Sequence, residues 1–349
     1  MKKLFLIFCL LSTIQSDAQQ VKNVLFLIGD GMGVSQIYAG LTANHGHLNL
    51  EKCQFIGFHR NQASNQYVTD SAAGATAFAT GFQTYNSAIG VDSTKKPQVT
   101  LLELAEKKGL STGLVTTCDI TDATPSSFIA HQEKRSMHEE IAADFLKTDV
   151  DVFIGGGRKY FNQRKDGRNL VEELKTKNYE VVDNLQALKE SKSLKLVGLL
   201  AEENPVKISE GRGEQLLESA QKAVSILEKN KNGFFAMIEG SQIDWGGHAN
   251  DKDYVTNEMI DFDKVIGWAF SYANKHPETL VVITADHETG GMALLGGDFK
   301  TGKVEAKFIT GGHTGQMIPV FSYGAHAKDF AGIYHNYDIF KKIKKALNL

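Results

Sequence analysis

The chain has 349 residues, of which 42% are hydrophobic and 23% charged, with only 5 prolines and 3 cysteines. This is the composition of a folded globular protein, and it excludes a disordered, collagen-like or disulfide-stapled chain. A formal charge of −3 leaves no basic footprint for nucleic acid, and any anion-binding site must carry its own local positive charge.

At the N-terminus, Lys2 and Lys3 precede an apolar run over 4–11 and the small-residue segment Ser16-Asp17-Ala18. The pattern predicts a signal peptide over 1–18, cleaved after Ala18, and hence a secreted or periplasmic protein. The run is too short for the roughly 20 apolar residues that span a bilayer, so no membrane anchor is expected once it is removed. Cys9 lies in this segment. Cys53 and Cys118 remain and read most simply as small buried hydrophobes, with their pairing left open.

Further along, strands are predicted over 24–28, 112–116, 152–154, 234–238, 280–284 and 319–323. Helices are predicted over 101–108 (stopped by Gly109), 137–147, 214–229 and 254–274. Continuous apolar strands alternating with amphipathic helices predict an α/β, doubly wound, mostly parallel sheet covered by helices on both faces. With no repeat or low-complexity linker, 19–349 reads as one domain. Asp30, Glu239 and Asp286-His287 each follow a predicted strand, and in such sheets ligands bind outside the carboxyl ends of the strands.

Histidines gather beside these carboxylates. Asp244 and His248 are four residues apart, which on a helical turn puts them on one face about 6 Å apart. Asp286 and His287 are adjacent, and His313 stands in the glycine-rich run Gly311-Gly312-His313-Thr314-Gly315. Histidine with carboxylate, without thiolate, suits a catalytic zinc site with an open position. Asp30, Thr124 and Glu239 offer hard oxygen atoms that suit magnesium.

Ser71, in Thr69-Asp70-Ser71-Ala72-Ala73-Gly74, is expected at the start of a helix, where free N–H groups favour anions. Taken alone it reads as an ordinary capping serine. No G-x-S-x-G elbow is present, so a metal is the natural activator of a nucleophilic hydroxyl. Arg135 carries the planar fork that clamps phosphate oxygens, although alone it reads as a solvated charge beside Lys134.

Six segments stand in order: IGDGMG (28–33), TDSAAGATAFATG (69–81), DATPSSFIAHQEKR (122–135), EGSQIDWGGH (239–248), TADHETGG (284–291) and TGGHTG (310–315). With them the chain strongly resembles bacterial alkaline phosphatases over essentially its whole mature length, especially the short secreted kind with Trp in SQIDWGGH. The resemblance implies hydrolysis of a broad range of small phosphate monoesters by a homodimer with two zinc ions and one magnesium ion per subunit. It assigns Asp244, His248 and His313 to the first zinc, and Asp30, Asp286 and His287 to the second. Asp30, Thr124 and Glu239 hold the magnesium, and Arg135 grips the phosphate. Ser71 is then the nucleophile, forming a phosphoseryl enzyme that water hydrolyses. Asp122 and Trp245 stand where the family varies and the magnesium site is tuned. The short stretch 298–310 implies a small crown insertion and an open site.

Three rivals fit less well. A phosphodiesterase of the same superfamily would lack the magnesium ligands, and a sulfatase would need a C/S-x-P-x-R motif that is absent. A non-catalytic secreted metal- or phosphate-binding protein would not need Ser71.

Overall fold

The computed structural model describes residues 20–349; the predicted signal peptide lies outside the described residues. Fourteen strands run in chain order among these residues. They are β1 (Asn23–Gly29), β2 (Phe55–Arg60), β3 (Ser111–Asp119), β4 (Val152–Gly156), β5 (Glu180–Val182), β6 (Leu196–Leu199) and β7 (Phe234–Gly240), then β8 (Thr279–Thr284), β9 (Glu288–Thr289), β10 (Ala293–Asp298), β11 (Lys303–Lys307), β12 (His313–Thr314), β13 (Ile318–Gly324) and β14 (Gly332–His335). Ten form one sheet in the order β14-β2-β13-β8-β1-β7-β3-β4-β6-β5.

The centre of the sheet follows from the apolar run of β1. All seven of its residues are buried. Leu25 and Leu27 join one core while Val24, Phe26 and Ile28 join the other, because successive side chains leave a strand on opposite faces. Helices cover both faces. The Ser71–Thr80, Leu101–Lys107 and Tyr337–Ala346 helices contribute to the core of Val24, Phe26 and Ile28; the Gln215–Leu227 and Lys252–Lys275 helices contribute to the core of Leu25 and Leu27. The doubly wound, mostly parallel sheet expected from sequence is thus present.

All six predicted strands occur, but β13 runs antiparallel to both β8 and β2. β2, β5, β6 and β14 carry no clear sequence signal because they are short or only partly buried. Among the predicted helices, 137–147 is shorter in the fold, at His138–Asp144. In the region of the predicted crown, β10 and β11 form a largely exposed antiparallel hairpin. Cys53 and Cys118 are free thiols. Among the described residues no helix is long and apolar enough to cross a membrane.

Strand register delivers the carboxylates to one edge. β1 pairs with β7 so that Ile28 stands beside Glu239 and Gly29 beside Gly240, and with β8 so that Ile28 stands beside Thr284. Asp30 and Asp286 each follow two residues beyond that last pair. The Ser71 helix is fixed beneath this edge by Phe78, whose ring meets Phe26 edge-on at 5.7 Å and His59 at 5.4 Å. Phe78→Ala is expected to cost about 3–5 kcal/mol, seen as a lower denaturant midpoint; an unchanged midpoint would mean that this contact does not anchor the helix.

Candidate active site

Asp244, His248 and His313 converge beyond the end of β7. His248 Nε2 lies 3.3 Å from Asp244 Oδ2, His313 Nε2 lies 3.6 Å from Asp244 Oδ1, and the two imidazole Nε2 atoms are 3.2 Å apart. Around a tetrahedral zinc with ligands at about 2.0–2.1 Å, neighbouring ligand atoms are separated by roughly 3.3 Å. These three donors therefore have the spacing of one coordination shell. Beyond β1 and β8, His287 Nε2 lies 3.2 Å from Asp286 Oδ2 and 3.6 Å from Asp30 Oδ1. Ser71 Oγ lies 3.1 Å from the same His287 nitrogen, beside that second set.

The donors are held from behind. His248 Nδ1 lies 2.7 Å from the Gly311 carbonyl and His313 Nδ1 lies 2.9 Å from the Thr69 carbonyl. A carbonyl only accepts, so in each ring Nδ1 carries the proton and Nε2 faces the site. β12 pairs with β9, setting His313 opposite Thr289, and this stacks the His313 ring on His287 at 3.5 Å. Thr289 also donates its hydroxyl to Asp244 Oδ1. Gly31 has φ +73, and a Cβ there would stand 2.7 Å from Asp244 Cα; only glycine permits this approach.

Several atoms in the site have no protein partner. Asp30 Oδ1, Asp286 Oδ2 and Thr124 Oγ1 are buried without a hydrogen bond, a costly arrangement unless an external group satisfies them. The same deficit governs the electrostatics. Burial, then the charges of Asp286, Asp244 and Glu239, raise the Asp30 pKa well above the ordinary carboxylate range. Asp286 is pushed up to about 6 by burial and by Asp244, and Glu239 to about 7, chiefly by burial. For Asp244, burial acts upward but is outweighed by the His248 hydrogen bond and the neighbouring imidazoles, which hold it at about 2. His248 is correspondingly pushed up to about 9, first by that hydrogen bond. Cations are the natural complement of this donor set.

Ser71 is buried and opens the Ser71–Thr80 helix. Its neighbour Asp70, rather than Ser71, is the cap: Asp70 Oδ1 accepts from Ala73 N at 2.9 Å and Oδ2 accepts from Ser87 N at 2.8 Å. Ser71 is thereby freed from capping. Arg135 is tethered. Its Nη2 donates to Asp122 Oδ1 at 2.7 Å, its Nη1 lies 3.8 Å from Asp70 Oδ2, and its backbone N–H donates to Ser87 O. Asp122 Oδ1 also accepts from Ala123 N, so this oxygen serves Arg135 and a helix start, and only Oδ2 is left for water at a metal. Trp245 is half-buried beside Asp244 on the Gln242–His248 helix.

The comparisons agree with this geometry. Residues 21–304 match the alkaline phosphatase family model. Alkaline phosphatase 3 of Bacillus subtilis (strain 168) is 35% identical across 95% of this chain and 90% of its own length.

The chain belongs to the alkaline phosphatase family.

The alignment with that relative runs over 419 positions, more than this chain's 349 residues, so the relative carries insertions. Alkaline phosphatase of Escherichia coli (strain K12) is 30% identical over 94% of this chain and 86% of its own length. Among solved structures, a His-to-Asp mutant of TAB5 alkaline phosphatase "with Mg bound in the M3 site" superimposes with a TM-score of 0.90 at 40% identity, covering 95% of this chain and 99% of that one. The chain is therefore a phosphatase of a metal-dependent family that acts on phosphate monoesters.

Sequence reasoning singled out every donor in the two clusters but missed what positions them. Asp70 and Thr289 lie inside recognised motifs, and their polarity beside Ser71 and His287 was the available signal. The Thr69 and Gly311 carbonyls left no side-chain signal.

The raised pKa values fix a direction with pH. Glu239 and His248 bind protons more tightly folded than unfolded, so the stability they give is lost as pH rises through about 7 and about 9. His287, whose pKa burial lowers, opposes this only below its ordinary value of 6.5. The melting temperature of chelator-treated protein is thus expected to fall between pH 6.5 and 9, while zinc- and magnesium-loaded protein stays nearly level. Parallel curves for the two forms would contradict this account of the site.

Proposed function

We propose that the chain is an alkaline phosphatase that hydrolyses small phosphate monoesters to an alcohol and inorganic phosphate through a phosphoseryl intermediate at Ser71. Asp244, His248 and His313 would hold one zinc; Asp30, Asp286 and His287 would hold a second. Asp30, Thr124 and Glu239 would hold magnesium, the ion named in the solved TAB5 mutant. The observation that supports this reading best is the 3.1 Å approach of Ser71 Oγ to His287 Nε2, which sets the hydroxyl beside the Asp30–Asp286–His287 cluster. When bound, the cations supply positive charge that lowers the pKa of the serine hydroxyl and of water and offsets charge on the departing oxygen.

The chain's own groups do the rest. Ser71 Oγ gives up its proton to solvent water and attacks phosphorus in line; the O–P bond to Ser71 forms as the ester P–O bond breaks, and the leaving oxygen takes a proton back from water and departs as the alcohol. Free N–H groups at the helix start face the phosphoryl oxygens. Arg135 uses one N–H on Asp122, leaving other donors of its fork for two non-bridging oxygens. Water then attacks the phosphoserine from the vacated side, restoring the Ser71 hydroxyl and releasing phosphate. We read 1–18 as a signal peptide to the periplasm or exterior and 19–349 as one catalytic domain. A homodimer is what the family resemblance implies.

Purified mature protein with zinc and magnesium is expected to hydrolyse a chromogenic monoester far faster than a diester. Ser71→Ala and chelation should each abolish the activity. Full activity in Ser71→Ala would mean that water attacks the ester directly; a preferred diester would favour the phosphodiesterase reading; metals bound without turnover would favour a binding protein. Trp245 offers no ammonium group for a water-mediated contact to phosphate, so product should leave easily. Trp245→Lys is expected to tighten inhibition by inorganic phosphate, and an unchanged inhibition constant would refute that role.

A further inference from the structure

Among the described residues, every hydrogen bond that the Glu239 carboxylate accepts falls on one oxygen. β3 pairs with β7 so that Thr116 stands opposite Glu239, and the Thr116 hydroxyl donates to Glu239 Oε2. The Ser241 hydroxyl donates to the same oxygen at 2.8 Å. Cys118 lies behind this pair, its backbone N–H donating to Thr116 Oγ1 at 3.3 Å and its thiol sulfur 3.0 Å from it. Thr116, Cys118, Ser241 and Glu239 are all buried.

The proton inventory is self-consistent. Each hydroxyl has one proton, and the Thr116 and Ser241 hydroxyl oxygens also stand 2.7 Å apart. The pair therefore reaches Oε2 either with both protons or as a relay in which one hydroxyl donates to the other and that one to the carboxylate. The Cys118 N–H donates to Thr116 Oγ1 from behind. The hydrogen bonds to this carboxylate fall on Oε2 and none on Oε1. Thr124 Oγ1 stands near enough to the carboxylate to act on its pKa and is buried without a hydrogen-bond partner. Ser241 is itself fixed, since its backbone N–H donates to Thr117 Oγ1 at 2.9 Å.

We propose that Thr116 and Ser241 are positioning residues that pin Glu239 Oε2 and thereby present Oε1, with Thr124 Oγ1, to the magnesium ion. The inference rests on the assignment of Asp30, Thr124 and Glu239 to magnesium under Proposed function. Neither hydroxyl touches substrate. Both act through the orientation of one carboxylate, and outer partners of this kind are worth about 10–100-fold in metal affinity.

The test uses zinc-loaded mature protein and magnesium chloride as the probe. Magnesium retained per chain is measured by elemental analysis after gel filtration at graded free magnesium, with zinc content and the melting temperature of chelated protein read in parallel. Thr116→Val and Ser241→Ala should each weaken magnesium binding about 10–100-fold with zinc content unchanged, and Thr116→Ser should restore it. Ser241→Ala removes a single oxygen and decides the matter even where Thr116→Val fails to fold. Unchanged magnesium affinity in Ser241→Ala overturns the inference, as does equal loss of zinc and of chelated-protein stability, which would mark a purely structural role. Wild-type protein that retains no magnesium overturns the magnesium assignment itself, and this inference with it. Wild-type retention with unchanged variants overturns this inference alone.

Discussion

The mutual repulsion of four buried carboxylates is the constraint around which the molecule is organised. Asp30, Glu239, Asp244 and Asp286 are all less than a tenth exposed, gathered where β1, β7 and β8 end. Placing even one unpaired carboxylate in such surroundings costs several kcal/mol. Among the described residues, Arg135 brings positive charge to this edge but is already shared with Asp122 and Asp70. Burial first, and then neighbouring carboxylates, raise Asp30, Asp286 and Glu239, and Asp30 Oδ1 and Asp286 Oδ2 stand without partners. Cations resolve this repulsion, and they also give a chain of net negative charge the local positive field that a phosphate ester requires.

The rigid sheet makes so unfavourable a grouping tenable. β1 is bonded along its length to β7 and β8, and its side chains reach both cores, so the ends of these strands have little freedom to splay. The Ser71 helix is pinned to the same frame through Phe78 and Phe26. Ser71 and the two donor clusters thus belong to one packed unit, which favours the small positional tolerances that the proposed in-line displacement demands. Toward solvent the architecture is sparser. A single exposed hairpin, β10–β11, stands in the region of the crown, and Tyr67 and Ile309 are 77% and 81% exposed near the Thr69–His313 contact.

Much of this was legible in the sequence because long apolar strands leave a strong signal. The runs ending at Asp30, Glu239 and Asp286 marked both the sheet and its functional edge. Spacing alone did not divide the donors into two sets; the family resemblance did, and in the fold Asp244, His248 and His313 gather in one cluster and Asp30, Asp286 and His287 in another. The β9–β12 pairing was not legible, since strands of two residues carry no periodicity, yet it brings His313 onto His287. Arg135 read alone as a solvated charge, because its partners Asp122 and Asp70 are 13 and 65 residues away and only the fold unites them. Thr116 and Ser241 looked like ordinary strand and turn residues. Their role depends on which oxygen of Glu239 they reach, and sequence does not encode that visibly.

The central claim is that Ser71 carries the phosphoryl group. The most direct measurement is to mix the metal-loaded protein with a phosphate monoester, quench in acid within the first turnovers, and map phosphate on its peptides by mass spectrometry. The account predicts phosphate on the peptide containing Ser71, localised to that residue and absent from chelated protein. Product formation with unmodified Ser71, or phosphate on another side chain, would contradict it.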